Sequence, residues 1–125
     1  MVDSEKKVLG LVEDVRIVGM RGQLILKAKM DTGASRTSID SRVAAKVGLG
    51  PITSSVRIKS STGGRSSRRP LAQATVIIAD ESFDVLVSIA DRHGMRKPMI
   101  IGMDILGSGR FLIDPSKSHE SEKVN

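Results

Sequence analysis

Met30-Asp31-Thr32-Gly33-Ala34-Ser35 decides the reading of this chain, because it places a carboxylate directly after the most regular strand pattern in the sequence. Upstream, Gln23–Met30 alternates Leu24, Leu26, Ala28 and Met30 with Gln23, Ile25, Lys27 and Lys29, the period of two that a half-buried strand requires. A carboxylate at such a strand end is held by rigid sheet, yet it projects into the loop region where a substrate can reach it. Thr32 supplies a hydroxyl next door, Gly33 lets the backbone turn and bring its N–H toward the carboxylate, and Ala34 keeps the surroundings small. Asp-Thr-Gly alone also fits an ordinary turn, since Asp-x-Gly is common turn chemistry. The rest of the chain has to decide between the two.

Working outward, residues 8–12 and 15–18 read as strands and Met20-Arg21-Gly22 as a turn. One helix stands out: Asp40 is a suitable N-cap, Ser41–Val47 carries the helix formers Arg42, Ala44, Ala45 and Lys46, and Gly48 is placed to end it in a left-handed conformation. Strands resume at residues 55–59, 72–79 and 82–89, the last two joined by Asp80-Glu81. A loop over 90–98 then leads to the apolar Met99-Ile100-Ile101, a short turn near 104–106 and a last strand over 110–113. Residues 1–7 read as a polar N-terminal extension, 8–115 as one domain, and 116–125 as a polar, disordered tail.

The length of 125 residues suits one domain, which buries roughly two-thirds of the surface its unfolded chain exposes. With no Cys, disulfides, thiolate catalysis, iron–sulfur clusters and cysteine-based zinc sites are excluded. No apolar run approaches the ~18 residues of a membrane-spanning helix, and the reading is a soluble, cytoplasmic chain without a membrane partner. The net charge of +6 is concentrated: Arg57, Lys59, Arg65, Arg68 and Arg69 fall within 57–70 with no acid among them, around Gly63-Gly64. That segment reads as a Gly-tipped hairpin. Its bland interpretation is a solvated basic loop. A nucleic-acid interpretation lacks stacking platforms, because Phe83 and Phe111 are the only aromatic residues and both suit a core.

Asp-Thr-Gly-Ala preceded by an apolar residue resembles the active-site signature of retropepsin-like aspartic proteases. Ile100-Ile101-Gly102-Met103-Asp104-Ile105-Leu106 resembles their second signature, two apolar residues and a Gly leading into a short helix, and the hairpin around Gly63-Gly64 lies where they place a flap. Asp91 to Gly102 and Gly109 to Ser116 are similar to the C-terminal block of the prokaryotic family historically labelled ATP-dependent zinc proteases, which is retropepsin-like and often encoded near ATP-grasp glutamate ligases. The resemblance covers about residues 9–115. It implies a mainly β, closed barrel-like acid-protease fold with one or two short helices. Two departures stand out. The loop at Ser35-Arg36 is one residue longer than usual, and the Arg–Asp brace of viral retropepsins is missing, its positions being Met103 and Ser35.

The resemblance implies an aspartic endopeptidase acting on peptides or proteins, with Asp31, Thr32 and Gly33 as its catalytic motif. Ala34, Ser35, Arg36, Thr62, Gly63, Gly64, Arg65 and Ile101 would line the substrate, and Ile100 and Gly102 would support the site. Two carboxylates must share one proton in such chemistry, and one motif per chain then requires a homodimer with Asp31 of each subunit at the axis. The basic loop and Arg36 suggest a preference for acidic peptides. No cofactor is expected: His93 and His119 are the only histidines, without an H-E-x-x-H arrangement, and there is no phosphate-binding G-x-x-x-x-G-K-[ST] loop. The alternatives are a non-catalytic peptide-binding or dimerisation module on the same fold and, further off, nucleic-acid binding through the basic hairpin.

Overall fold

The computed structural model describes residues 5–59, 66–92 and 94–117. Thr62, Gly63, Gly64, Arg65, His93 and His119 therefore lie outside the described residues, as does the tail from 118. The elements run β1 (Lys7–Leu9), β2 (Val12–Val18), β3 (Gln23–Met30), β4 (Ser38–Asp40), α1 (Ser41–Val47), β5 (Ile52–Lys59), β6 (Ser66–Ile78), β7 (Glu81–Ala90), β8 (Met99–Ile101), α2 (Met103–Leu106) and β9 (Phe111–Ile113). The fold is mainly β with two short helices, as expected.

One sheet runs β2-β3-β8-β4-β7-β6-β5, and a further pairing of β2 with β6 closes its first six strands into a barrel. Such closure removes the free edges that an open sheet would present. β5 hangs on β6 as the outer arm of the basic hairpin. β1 and β9 form a separate parallel pair, with Val8 opposite Leu112.

The alternation in β3 is realised as read, with Ala28 and Met30 buried and Ile25 and Lys29 exposed. Val15, Ile17, Ile39, Val76, Val87, Met99, Ile101 and Ile105 fill the barrel at 1% exposure or less. Phe83 and Phe111 pack at the rim of this core, their ring centroids 6.0 Å apart. Helix α1 is bounded as its sequence requires: the Asp40 side chain accepts from the Arg42 N–H, and Gly48 sits at φ 72°, its N–H donating to Ala44 and Ala45.

One expectation is corrected, and one strand is found that the sequence did not announce. Residues 8–12 are not one strand, because the Gly10 N–H donates to the Glu13 carboxylate at 2.6 Å and the chain turns between β1 and β2. Strand β4 has no apolar run to announce it. It exists because Ser38-Ile39-Asp40, buried throughout, is paired with β7 on one side and β8 on the other. Of the polar tail, Ser116 bonds the Asp114 carboxylate and Lys117 Nζ donates to the Val8 carbonyl at 2.7 Å. No helix among the described residues is long and apolar enough to cross a membrane.

Candidate active site

Strands β3 and β8 run parallel with Lys29 opposite Ile100 and Met30 opposite Ile101. The ladder continues one step further, the Asp31 N–H donating to the Ile101 carbonyl at 2.9 Å. The sheet itself therefore fixes the backbone of Asp31. Its carboxylate is held as well: Oδ1 accepts the Gly33 N–H at 3.0 Å, and the turn is tied by the Ala34 N–H to the Asp31 carbonyl at 3.2 Å. Asp31 is half-buried, while Thr32, Gly33 and Ser35 are exposed around it. The result is an oriented, accessible carboxylate with a hydroxyl beside it, the equipment for general acid–base work.

Behind this loop, the missing Arg–Asp brace is replaced by a different set of bonds. Gly102 leads into α2 so closely under the loop that a Cβ there would meet Ala34 O at 2.8 Å and Arg36 N at 2.9 Å, both backbone atoms. The Met103 N–H donates to Ala34 O at 2.8 Å and the Asp104 N–H to Ser35 O at 3.2 Å. The Asp104 carboxylate accepts from Thr37, through the backbone N–H at 3.0 Å and the hydroxyl at 2.8 Å. Thr37, itself fully buried, uses its hydroxyl oxygen to accept the Gly102 N–H at 3.1 Å. Met103 takes no side-chain part in this clasp. The sequence places Asp104, two residues after Gly102, in a turn packing behind the site, but it gave no sign of Thr37 as its partner.

The structure redistributes other expected roles. Ile101 is fully buried in the barrel, so it supports the site and does not line it. Alternation puts half-buried Ile100 on the opposite face, with Lys29 and Asp31. Arg36 is also half-buried, and its guanidinium donates to the Leu86 carbonyl on β7 at 3.3 Å. In the basic hairpin Arg57 lies directly opposite Arg68, and half-buried Arg69 is opposite Val56.

Asp40 ties the site to the loop after β7. Its carboxylate accepts from Arg42 and, at 2.8 Å, from the Arg92 N–H. Hydrogen bonding from the Arg42 side chain is the main reason its pKa is lowered to about 2, against the opposing effect of burial. Among the described residues no three His, Asp or Glu side chains are grouped to hold a metal ion.

The model of the aspartyl protease family matches residues 14–105, which include Asp31 and end within α2. No curated protein matches the chain. Among solved structures, a Legionella pneumophila protein of unknown function, Lpg0085, is similar at a TM-score of 0.64 and 20% identity, over 94% of this chain and 99% of that one. The EIAV protease complexed with the inhibitor HBY-793 is similar at 0.61 and 17%, over 83% and 88%. A retropepsin-like aspartic protease from Rickettsia conorii is similar at 0.50 and 18%, over 78% and 80%. These likenesses establish the retropepsin-like fold.

Proposed function

The chain belongs to the aspartyl protease family, and from that premise we propose that it is a retropepsin-type endopeptidase, hydrolysing peptide bonds with a water activated between the two Asp31 carboxylates of a homodimer. The observation that carries this reading is the Asp31 carboxylate itself, set at a strand end with Oδ1 fixed by the Gly33 N–H at 3.0 Å. Two such groups a few ångströms apart cannot both ionise, so they titrate as one coupled pair. The protonated member orients the substrate carbonyl and the ionised one takes a proton from the attacking water. Thr32 braces the pair across the axis. The hairpin of β5 and β6 covers the peptide and excludes water.

Support for the dimer comes from β1 and β9. They present Val8 and Leu112 side by side, 42% and 52% exposed, on a two-stranded sheet that is too small to be stable alone. A second copy would extend this sheet and bring the second Asp31 to the first. An acidic substrate is favoured by the cationic hairpin, where Arg57 lies opposite Arg68.

The test is Asp31→Asn on a peptide library. Cleavage should stop while the far-ultraviolet circular dichroism spectrum stays that of the wild type, and a chelator should leave the wild-type rate unchanged. Full activity of the Asn variant would end the proposal. A wild type that binds peptides and cuts none would make the chain a binding module instead.

A further inference from the structure

Beside the catalytic loop lies a cavity of about 460 Å³ whose charged lining is wholly cationic: Lys29, Arg92, Arg96 and Lys97, with Leu11, Val12 and Met95 as its apolar wall. These residues come from three places in the sequence, the turn into β2, the end of β3 and the loop between β7 and β8, so no composition window brings them together. Its location follows from register. Val12 pairs with Lys29, and Lys29 with Ile100, which puts the three on one face of β2, β3 and β8. Asp31, two residues beyond Lys29, is on that same face about 7 Å further along the strand. A peptide whose scissile bond lies at Asp31 thus has a neighbouring side chain within reach of the cavity.

The loop carrying the other cations is anchored through Arg92. Asp40 Oδ1 holds the Arg92 N–H, and Arg92 Nε donates to the Lys97 carbonyl at 3.0 Å. Arg92 is half-buried and sits near enough to Arg69, from β6, for the two to repel. Burial first, and then Arg69, lower its pKa, while Asp40 and Asp31 oppose them. A half-buried guanidinium crowded by like charge gains more from an incoming anion than a solvated one does.

We propose that this cavity is a specificity subsite for an acidic side chain of the peptide, adjacent to the scissile bond. The proposal rests on the retropepsin reading of Asp31 and moves acid recognition from Arg36, which is engaged with Leu86, to Lys29 and Arg96 with Arg92 behind them. Leu11, Val12 and Met95 would cover the methylenes of a Glu, and a Lys in the same place would meet repulsion from every charged wall.

The experiment uses peptides acetylated and amidated at their ends, identical except for Glu, Gln or Lys at one position. Binding to the full-length Asp31→Asn protein is read by fluorescence anisotropy and cleavage by the wild type is read separately, so that a failure of catalysis and a failure of the subsite are told apart. The Glu peptide should bind about tenfold more tightly than the Gln peptide at low salt, and the Lys peptide more weakly than either. Lys29→Glu, and independently Arg96→Glu, should reverse the order of the Glu and Lys peptides. Equal affinities overturn the proposal, as does a Glu preference that both reversals leave intact. Binding that needs a free C-terminal carboxylate also overturns it, since the cavity would then be reading a chain end and not a side chain.

Discussion

A Cβ on residue 102 would lie 2.8 Å from Ala34 O and 2.9 Å from Arg36 N, and neither backbone atom can yield without moving the loop that holds Asp31. Gly102→Ala is therefore expected to cost about 1–3 kcal/mol, as overpacking does, and to lower kcat/KM with it. At residue 33 a Cβ would meet only Asp31 Oδ1, at 3.3 Å. Gly33→Ala should keep the fold and reduce turnover, a split that urea denaturation and kinetics resolve. The clasp behind the loop gives a third expectation. Asp104→Ala strands the N–H and hydroxyl of fully buried Thr37, a loss of about 1–3 kcal/mol, whereas Asp104→Asn keeps an oxygen for one of them and should lose less. Equal urea midpoints for the two variants would show that the Thr37 bonds do not hold the loop. Asp31 was legible in the sequence because its strand alternates so cleanly. Thr37 and its bond to Asp104 were not, since a hydroxyl and a carboxylate that find each other across 67 residues leave no local pattern.

Among the elements, those whose local chemistry agrees with their tertiary surroundings were readable from the chain. β3, with its period of two, and α1, with Asp40 before it and Gly48 after it, came out with the bounds the sequence announces. β4 was not readable, because its three residues owe their conformation to two neighbouring strands. Asp40 closes β4, caps α1 and anchors Arg92, so its ionisation touches three parts of the site. Its pKa is lowered from 3.8 to about 2 on folding, so the stability it contributes is complete above about 3.8 and is lost as the pH falls toward 2. Asp40→Asn removes that dependence. Thermal melts between those two pH values should show the wild type losing more Tm than the variant, and parallel curves would mean that the carboxylate is not what links these elements.

For the whole molecule, charge and symmetry make opposite demands that salt can separate. Each chain carries +6, so two chains meeting at the proposed axis would repel, and apolar contact such as Val8 and Leu112 on the β1–β9 pair would have to draw them together. Screening weakens the repulsion and leaves the apolar term, so the proposed dimer should tighten as ionic strength rises. Recognition of an acidic peptide by Lys29 and Arg96 runs the other way and should weaken over the same range. Sedimentation at micromolar protein should give about twice 13.4 kDa, with the dimer fraction higher at high salt. Leu112→Lys removes an exposed apolar contact and adds another like charge, so it should shift the species toward monomer and abolish cleavage, while the β-rich circular dichroism spectrum persists. A Leu112→Lys monomer that still cleaves peptide would contradict the shared site directly, because a chain with one Asp-Thr-Gly would then be supplying both carboxylates by itself.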